Sequence, residues 1–177
     1  MNIRFAGFGG QGIIMAGYAL GRAGVLDGGN ALQTQSYGSE SRGGTCKSDV
    51  IISDGEILDI VPSTVDVLVA MSQPALDKFR SDLKDDGILI YDMDMVQPDD
   101  SGIRAVGLRA ADIAHKTFGS DIVANAIMLG CLAGFTHVVS YDSLRKAISE
   151  SAPPKTVETN LQAFDEGFKR GDQAGGA

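Results

Sequence analysis

Ile3-Arg4-Phe5-Ala6-Gly7-Phe8-Gly9-Gly10-Gln11-Gly12-Ile13-Ile14-Met15-Ala16-Gly17-Tyr18-Ala19-Leu20 decides the fold of this chain. A short apolar run reads as a buried strand, the spacing G-x-G-x-x-G follows it, and an apolar helix follows the glycines. Strand, glycine turn and helix stand in the order of a dinucleotide-binding βα unit. Glycine lets the backbone turn through positive φ and approach a ligand closely, and the free N–H groups of a first helical turn favour an anion. Gly7, Gly9, Gly10, Gln11 and Gly12 are therefore candidates for an anion-holding loop, against the plainer reading of a tight turn that lets helix pack on strand. The acid that grips an adenosine ribose in such folds is absent: Gln33-Thr34-Gln35-Ser36 ends the second strand. A polar loop, Tyr37-Gly38-Ser39-Glu40-Ser41-Arg42-Gly43-Gly44, takes its place.

Beyond that loop, Ser48–Ser53 and Glu56–Ile60 flank Asp54-Gly55, the signature of a tight β-hairpin. Val65–Met71 is a buried strand. Ser72 is placed to cap a helix from Gln73 to Lys84, with Pro74 in its first turn and Asp86-Gly87 closing it. Ile88–Tyr91 is the next strand. Asp92, Asp94, Asp99 and Asp100 follow in a polar stretch, read as a solvated loop in preference to a Mg²⁺ site. Ile103–Leu108 reads as a strand and Ala110–Phe118 as a helix. The apolar helix Val123–Phe135 carries Gly130 and Gly134, which admit close approach by the core or a partner. Helices over Asp142–Ser149 and Lys155–Lys169 complete the chain, with Val157, Leu161, Phe164 and Phe168 on one packing stripe. The pattern predicts one three-layer, Rossmann-like α/β domain over residues 1–171, with a mostly parallel sheet and an inserted antiparallel hairpin, and a disordered tail over 172–177.

Composition narrows the function. The 177 residues suit one domain, and 23 glycines lie in turns between apolar runs, about double the usual share of roughly 7%. A formal charge of −8 without any Lys/Arg run argues against a nucleic-acid partner. Two cysteines, Cys46 and Cys131, are too few for an iron–sulfur cluster or a structural zinc site. The two histidines, His115 and His137, fit no metal-ligand spacing and are expected at surfaces or helix ends. No metal site and no catalytic residue are expected in this chain. The sequence opens on a strand with no signal peptide, and Ala124–Phe135 is too short to span a bilayer, so a cytoplasmic protein without a membrane partner is expected.

Taken together, Gly7-Phe8-Gly9-Gly10-Gln11-Gly12, the run Gln33 to Gly44 and Val69-Ala70-Met71-Ser72-Gln73 resemble the gamma subunits of 2-oxoacid:ferredoxin oxidoreductases, of the pyruvate/ketoisovalerate oxidoreductase catalytic domain family. The wording is closest to the 2-oxoglutarate branch, with the branched-chain 2-oxoacid and pyruvate enzymes close behind. The resemblance implies a non-catalytic subunit of a complex that converts a 2-oxoacid and coenzyme A to acyl-CoA and CO₂ and reduces ferredoxin. Its partners would be alpha, beta and ferredoxin-like delta subunits, with ferredoxin as acceptor. Thiamine diphosphate, Mg and the iron–sulfur clusters would sit on those partners, with coenzyme A as co-substrate and no cofactor held by this chain alone. The absent Gly-Asp-Gly thiamine motif agrees. Tyr37, Gly38, Ser39, Glu40, Arg42, Gly43 and Gly44 then become candidates for a subunit interface or coenzyme A contact, Arg42 offering a planar guanidinium to a phosphate or carboxylate and Glu40 steadying it. A local Glu40–Arg42 pair on an ordinary loop is the plainer alternative. A homodimer is expected of the isolated chain. The competing function is an independent dinucleotide-binding oxidoreductase or nucleotide-binding module.

Overall fold

The computed structural model describes residues 1–37, 44–99 and 102–175. Its centre is β1 (Asn2–Phe8), an apolar strand buried over Ile3–Gly7. The glycine turn leads into α1 (Ile13–Leu26) and on to β2 (Asn30–Ser36) and β3 (Thr45–Ser53). Then come β4 (Val65–Ala70), α2 (Gln73–Phe79), a 3-10 turn Arg80–Asp82, β5 (Leu83–Asp92) and β6 (Arg104–Leu108). The helices α3 (Ala110–Phe118), α4 (Ala124–Thr136), α5 (Tyr141–Ser151) and α6 (Val157–Gly175) finish the chain.

The six strands lie in the order β2-β3-β1-β4-β5-β6. β1, β4, β5 and β6 run parallel, while β3 is antiparallel to both β1 and β2. Strand alternation divides the core into two layers. Ile3, Phe5, Val67, Val69 and Ile90 pack against α1, α3, α4, α5 and α6. Ala6, Leu68, Ala70 and Leu89 pack against α2, through Ala75, Leu76 and Phe79. This is the three-layer α/β arrangement expected from the sequence.

The antiparallel hairpin exists, but it is β2–β3. The expected partner of Ser48–Ser53, residues 56–60, forms no strand. Both edges of β3 are already occupied, Leu32 pairing with Ile51 on one side and Asn2 with Ile51 on the other, so a further strand has nowhere to bond. Asp54-Gly55 makes only a local turn, with the Gly55 N–H donating to Ser53 Oγ at 3.0 Å. The helix expected to reach Lys84 stops at Phe79, because Leu83 enters the α2-side core and pairs with Val65. Asp86-Gly87 accordingly lies inside β5. At the other end α6 continues through Gly175, beyond Asp172 where a tail was expected.

Gly130 and Gly134 do receive a close neighbour, and it is α6. A Cβ on Gly130 would lie 2.2 Å from the Phe164 carbonyl oxygen, and one on Gly134 would lie 2.2 Å from that of Phe168. The contact is reciprocal: a Cβ on Gly167 would lie 1.9 Å from the Ile127 oxygen, and one on Gly171 would lie 2.1 Å from that of Cys131. Backbone therefore meets backbone along the whole crossing, as small residues at four-residue spacing permit.

On the α2 side a charge is buried in the sheet. Arg4 is 1% exposed and donates to Asp49 through Nε at 2.5 Å and to Asp82 through its other arm, while its guanidinium lies 5.1 Å from the Phe79 ring centroid. Burial alone would pull the Arg4 pKa down, but the two carboxylates outweigh it and hold it above its usual value.

Candidate functional site

The described parts of the three motifs meet at one edge of the sheet. Register places Phe8 opposite Thr45 and Ala6 beside Ala70, so the glycine turn, both ends of the Tyr37–Gly44 loop and the Met71–Gln73 segment all lie beyond the C-terminal ends of β1 and β4. This is the crevice where strand order reverses and where open α/β sheets bind their ligands.

At its centre stands Gln11. Its Oε1 accepts the Phe8 N–H at 2.7 Å and its Nε2 donates to the Met71 carbonyl at 2.9 Å. Gly7 makes the room, since a Cβ there would lie 2.4 Å from Gln11 Oε1. Gly10 and Gly12 take φ of 95° and 75°, in the region only glycine occupies without cost, and the Gly12 carbonyl accepts from Asn125 Nδ2 at 3.2 Å. The fingerprint glycines thus accommodate an internal side chain and two sharp turns, while Gly9 and Gly10 stay exposed. Sequence reasoning named Gln11 only as one loop member. Its bridging role leaves no signal in a spacing that allows any residue there.

Ser72 holds the N-cap position of α2, but its side chain makes no capping bond. Its hydroxyl is buried without a hydrogen-bond partner among the described residues. Tyr37 is 65% exposed. Gly44 lies at the foot of β3, and Gly38, Ser39, Glu40, Arg42 and Gly43 lie outside the described residues. Beside the glycine turn a cavity of about 240 Å³ opens between α1, α4 and the α5–α6 link. It is lined by Gly12, Ala16, Ala126, Leu129 and Ile148 among others, with no charged side chain.

Two aspartates, one ending β5 and one just beyond it, act on α3. Asp92, 1% exposed, accepts the N–H groups of Asp94 and Ala111, each at 3.1 Å. Asp94 accepts the Asp112 N–H at 3.0 Å and Arg109 Nε at 2.7 Å. Carboxylates at a helix N-terminus satisfy its free donors and its dipole. Burial raises the Asp92 pKa, with the N–H bonds opposing and Asp94 reinforcing it. Asp99 lines a neighbouring groove, and Asp100 lies outside the described residues.

The two histidines lie at helix ends, as the sequence reading placed them. His115 sits in the last turn of α3 and His137 caps α4 in a left-handed conformation, each 3.4 Å from an aspartate and exposed. Cys46 and Cys131 are buried free thiols. Burial raises both, Cys131 to about 11, which leaves them protonated and inert near neutral pH. Among the described residues no group of three His, Cys, Asp or Glu side chains could hold a metal. None of the described helices is long and apolar enough to cross a membrane.

Fold and site define a Rossmann-like α/β domain whose switch-point crevice is bridged by its own glutamine. The chain belongs to the pyruvate ferredoxin/flavodoxin oxidoreductase family, whose model matches residues 2–170. It is 46% identical over 174 residues to the 2-oxoglutarate synthase subunit KorC of Methanocaldococcus jannaschii, covering 95% of this chain and 92% of that one. Among solved structures it resembles the gamma subunit of a keto/oxoacid ferredoxin oxidoreductase from Geobacter sulfurreducens, with a TM-score of 0.86, 40% identity and coverage of 97% and 98%. It also resembles the 2-oxoglutarate:ferredoxin oxidoreductase of Magnetococcus marinus, solved with 2-oxoglutarate, coenzyme A and succinyl-CoA bound. There the TM-score is 0.85 at 25% identity, and the match covers 98% of this chain and 31% of that longer one.

Proposed function

We propose that this chain is the gamma subunit of a cytoplasmic 2-oxoglutarate:ferredoxin oxidoreductase, which converts 2-oxoglutarate and coenzyme A to succinyl-CoA and CO₂ while passing two electrons to ferredoxin. The end-to-end likeness to KorC carries this reading. The geometry supports it: three motifs converge on one edge, and the crevice that would hold a dinucleotide is bridged by Gln11. That bridge and the missing ribose acid weigh against the dinucleotide-binding alternative.

The residues of this chain do not fit the redox groups of such a reaction. Two cysteines are too few for the four thiolates of a cluster, so thiamine diphosphate, Mg and the clusters are assigned to alpha, beta and ferredoxin-like delta partners. The gamma subunit contributes a wall of the shared site. We assign that wall to the Tyr37–Gly44 loop, with Arg42 meeting a coenzyme A phosphate or a partner carboxylate, and to the exposed glycines of the turn. Co-expression with the candidate partners tests the reading. Succinyl-CoA formation with ferredoxin reduction is expected from 2-oxoglutarate, ahead of pyruvate and 3-methyl-2-oxobutanoate, and only when this chain is present. A complex equally active without it, or a stoichiometric dinucleotide on the purified chain, would refute the assignment.

A further inference from the structure

The two edges of the sheet are finished differently. β6 is five residues long and carries Arg104, whose guanidinium lies over the Phe135 ring. β2 is seven residues long, Asn30-Ala31-Leu32-Gln33-Thr34-Gln35-Ser36, with no charged residue and no proline, and its register to β3 runs unbroken from Asn30 to Ser36. Short length, charge, proline and bulges are what keep a sheet edge from pairing with another chain. β2 has none of them.

The aim of its backbone groups follows from the far side of β3. Ile52 and Met1 exchange two bonds, the Ile52 N–H donating to the Met1 oxygen at 2.9 Å and the Met1 ammonium to the Ile52 oxygen at 2.6 Å. Ile52 thus aims at β1, and because the aim alternates along an antiparallel strand, Ile51, Asp49 and Lys47 aim at β2, opposite Leu32, Thr34 and Ser36. Ala31, Gln33 and Gln35 therefore turn both N–H and C=O outward, where they have no partner among the described residues.

The two ends of this edge complement each other. At the Asn30 end lies an open hollow of about 400 Å³, lined by Asn30, Ala31, Leu32 and Ile57 and by the acids Asp54 and Glu56. At the other end stand the exposed ring of Tyr37, Lys47 opposite Ser36, and Lys78, which donates to Thr45 Oγ1 and makes no ion pair among the described residues.

We propose that β2 pairs antiparallel with β2 of a second copy of this chain, about a twofold axis through Gln33. Gln33 then exchanges bonds with its own counterpart, and Ala31 with Gln35 of the second copy. Asn30 comes opposite Ser36 of the second copy, which carries that copy's Tyr37 to the hollow and its lysine end to Asp54 and Glu56. The paired strands themselves oppose no like charges, although each chain has a formal charge of −8. The proposal does not rest on the assigned activity.

The test is sedimentation equilibrium of the purified full chain, with a monomer–dimer equilibrium in about the micromolar range expected for so small a contact. Gln35→Pro removes an outward N–H and leaves the ladder to β3 intact, so it should weaken dimerisation about tenfold or more at an unchanged Tm. The double variant Leu32→Cys with Thr34→Cys places each new thiol opposite one of the second copy, and diamide should link it into a covalent dimer. Neither single variant should link, since Cys46 and Cys131 are buried and position 32 faces position 34. A chain that stays monomeric at hundreds of micromolar would overturn the proposal. So would a dimer indifferent to Gln35→Pro, or one that links equally through either single cysteine. Amide exchange that slows at Ala31, Gln33 and Gln35 only after assembly with other subunits would give the edge to a foreign strand, and would overturn self-pairing as well.

Discussion

Gln11 and Met71 are joined across the mouth of the sheet, the glutamine amide donating to the methionine carbonyl at 2.9 Å while its oxygen takes the Phe8 N–H. One side chain thereby ties the first βα turn to the end of the neighbouring parallel strand, at the place where a relative of different purpose would admit a pyrophosphate.

Gln11→Ala should leave the Phe8 N–H and the Met71 carbonyl without these partners and destabilise the domain by about 1–3 kcal/mol. Denaturant titration measures it. Calorimetry with NAD should show no binding tighter than about the millimolar range for either protein, since the second strand ends without a ribose acid. A micromolar NAD site appearing in the variant would mean that the glutamine alone closes an otherwise competent pocket.

Arg4→Met should cost about 3–5 kcal/mol, because Asp49 stays buried after losing its guanidinium. Adding Asp49→Leu should return most of that loss, since an apolar pair of similar bulk needs no desolvated charge. Urea unfolding of the single and double variants decides it. A single-variant cost below about 1 kcal/mol would show the network to be peripheral.

Two glycine substitutions should move stability in opposite directions. In Gly167→Ala the new Cβ would meet the Ile127 oxygen at 1.9 Å, a backbone atom that cannot swing aside, and about 3 kcal/mol should be lost. In Gly21→Ala the nearest atom would lie at 3.7 Å, and the helix should gain up to about 1 kcal/mol. Equal thermal shifts for the two would contradict the helix packing described above.

Acid stability should depend on Asp27 and Asp66. Burial works against both, but the Ser140 and Ser143 donors at Asp27, and Lys84 with the Asn2 N–H at Asp66, outweigh it and lower both pKa values. Between the folded and unfolded values the unfolded chain binds more protons, so this stability is complete above the unfolded pKa of about 4 and is lost as pH falls through the folded values. Asp92 has the opposite sign: its raised pKa makes ionisation cost stability as pH rises through the same region. Asp27→Asn should therefore flatten the acid limb of Tm between about pH 5 and 2, and Asp92→Ala should lower Tm by removing an α3 cap worth about 1 kcal/mol. An acid limb unchanged by Asp27→Asn would reassign that sensitivity to other carboxylates.

Local signals carried much of the fold. The order of strand, glycine turn and helix located β1 and α1, and the bounds of α3 followed from its short apolar pattern. What failed was choice of partner. Asp54-Gly55 is a strong hairpin signal, yet β3 bonds to strands on both sides, which no local pattern can announce. Arg4 was hidden in an apolar run, though Asp49 in another apolar run was a matching clue. Gly130 and Gly134 were read as a close-approach surface, while Gly167 and Gly171, at the same spacing in the last helix, would have named the neighbour. For the site, motif order brought the right segments together, but the bond from Gln11 to Met71 spans 60 residues and no local pattern announces it.

The reciprocal fit of α4 and α6 also orders events during synthesis. α4 is buried over nearly its full length, and its glycine face is closed only by residues after Val157. A nascent chain that has already laid down all six strands still presents a bare apolar helix until that last segment leaves the ribosome. Closure of the α4 face is therefore the last packing step of this domain, and any surface that α4 and α6 build together forms only then.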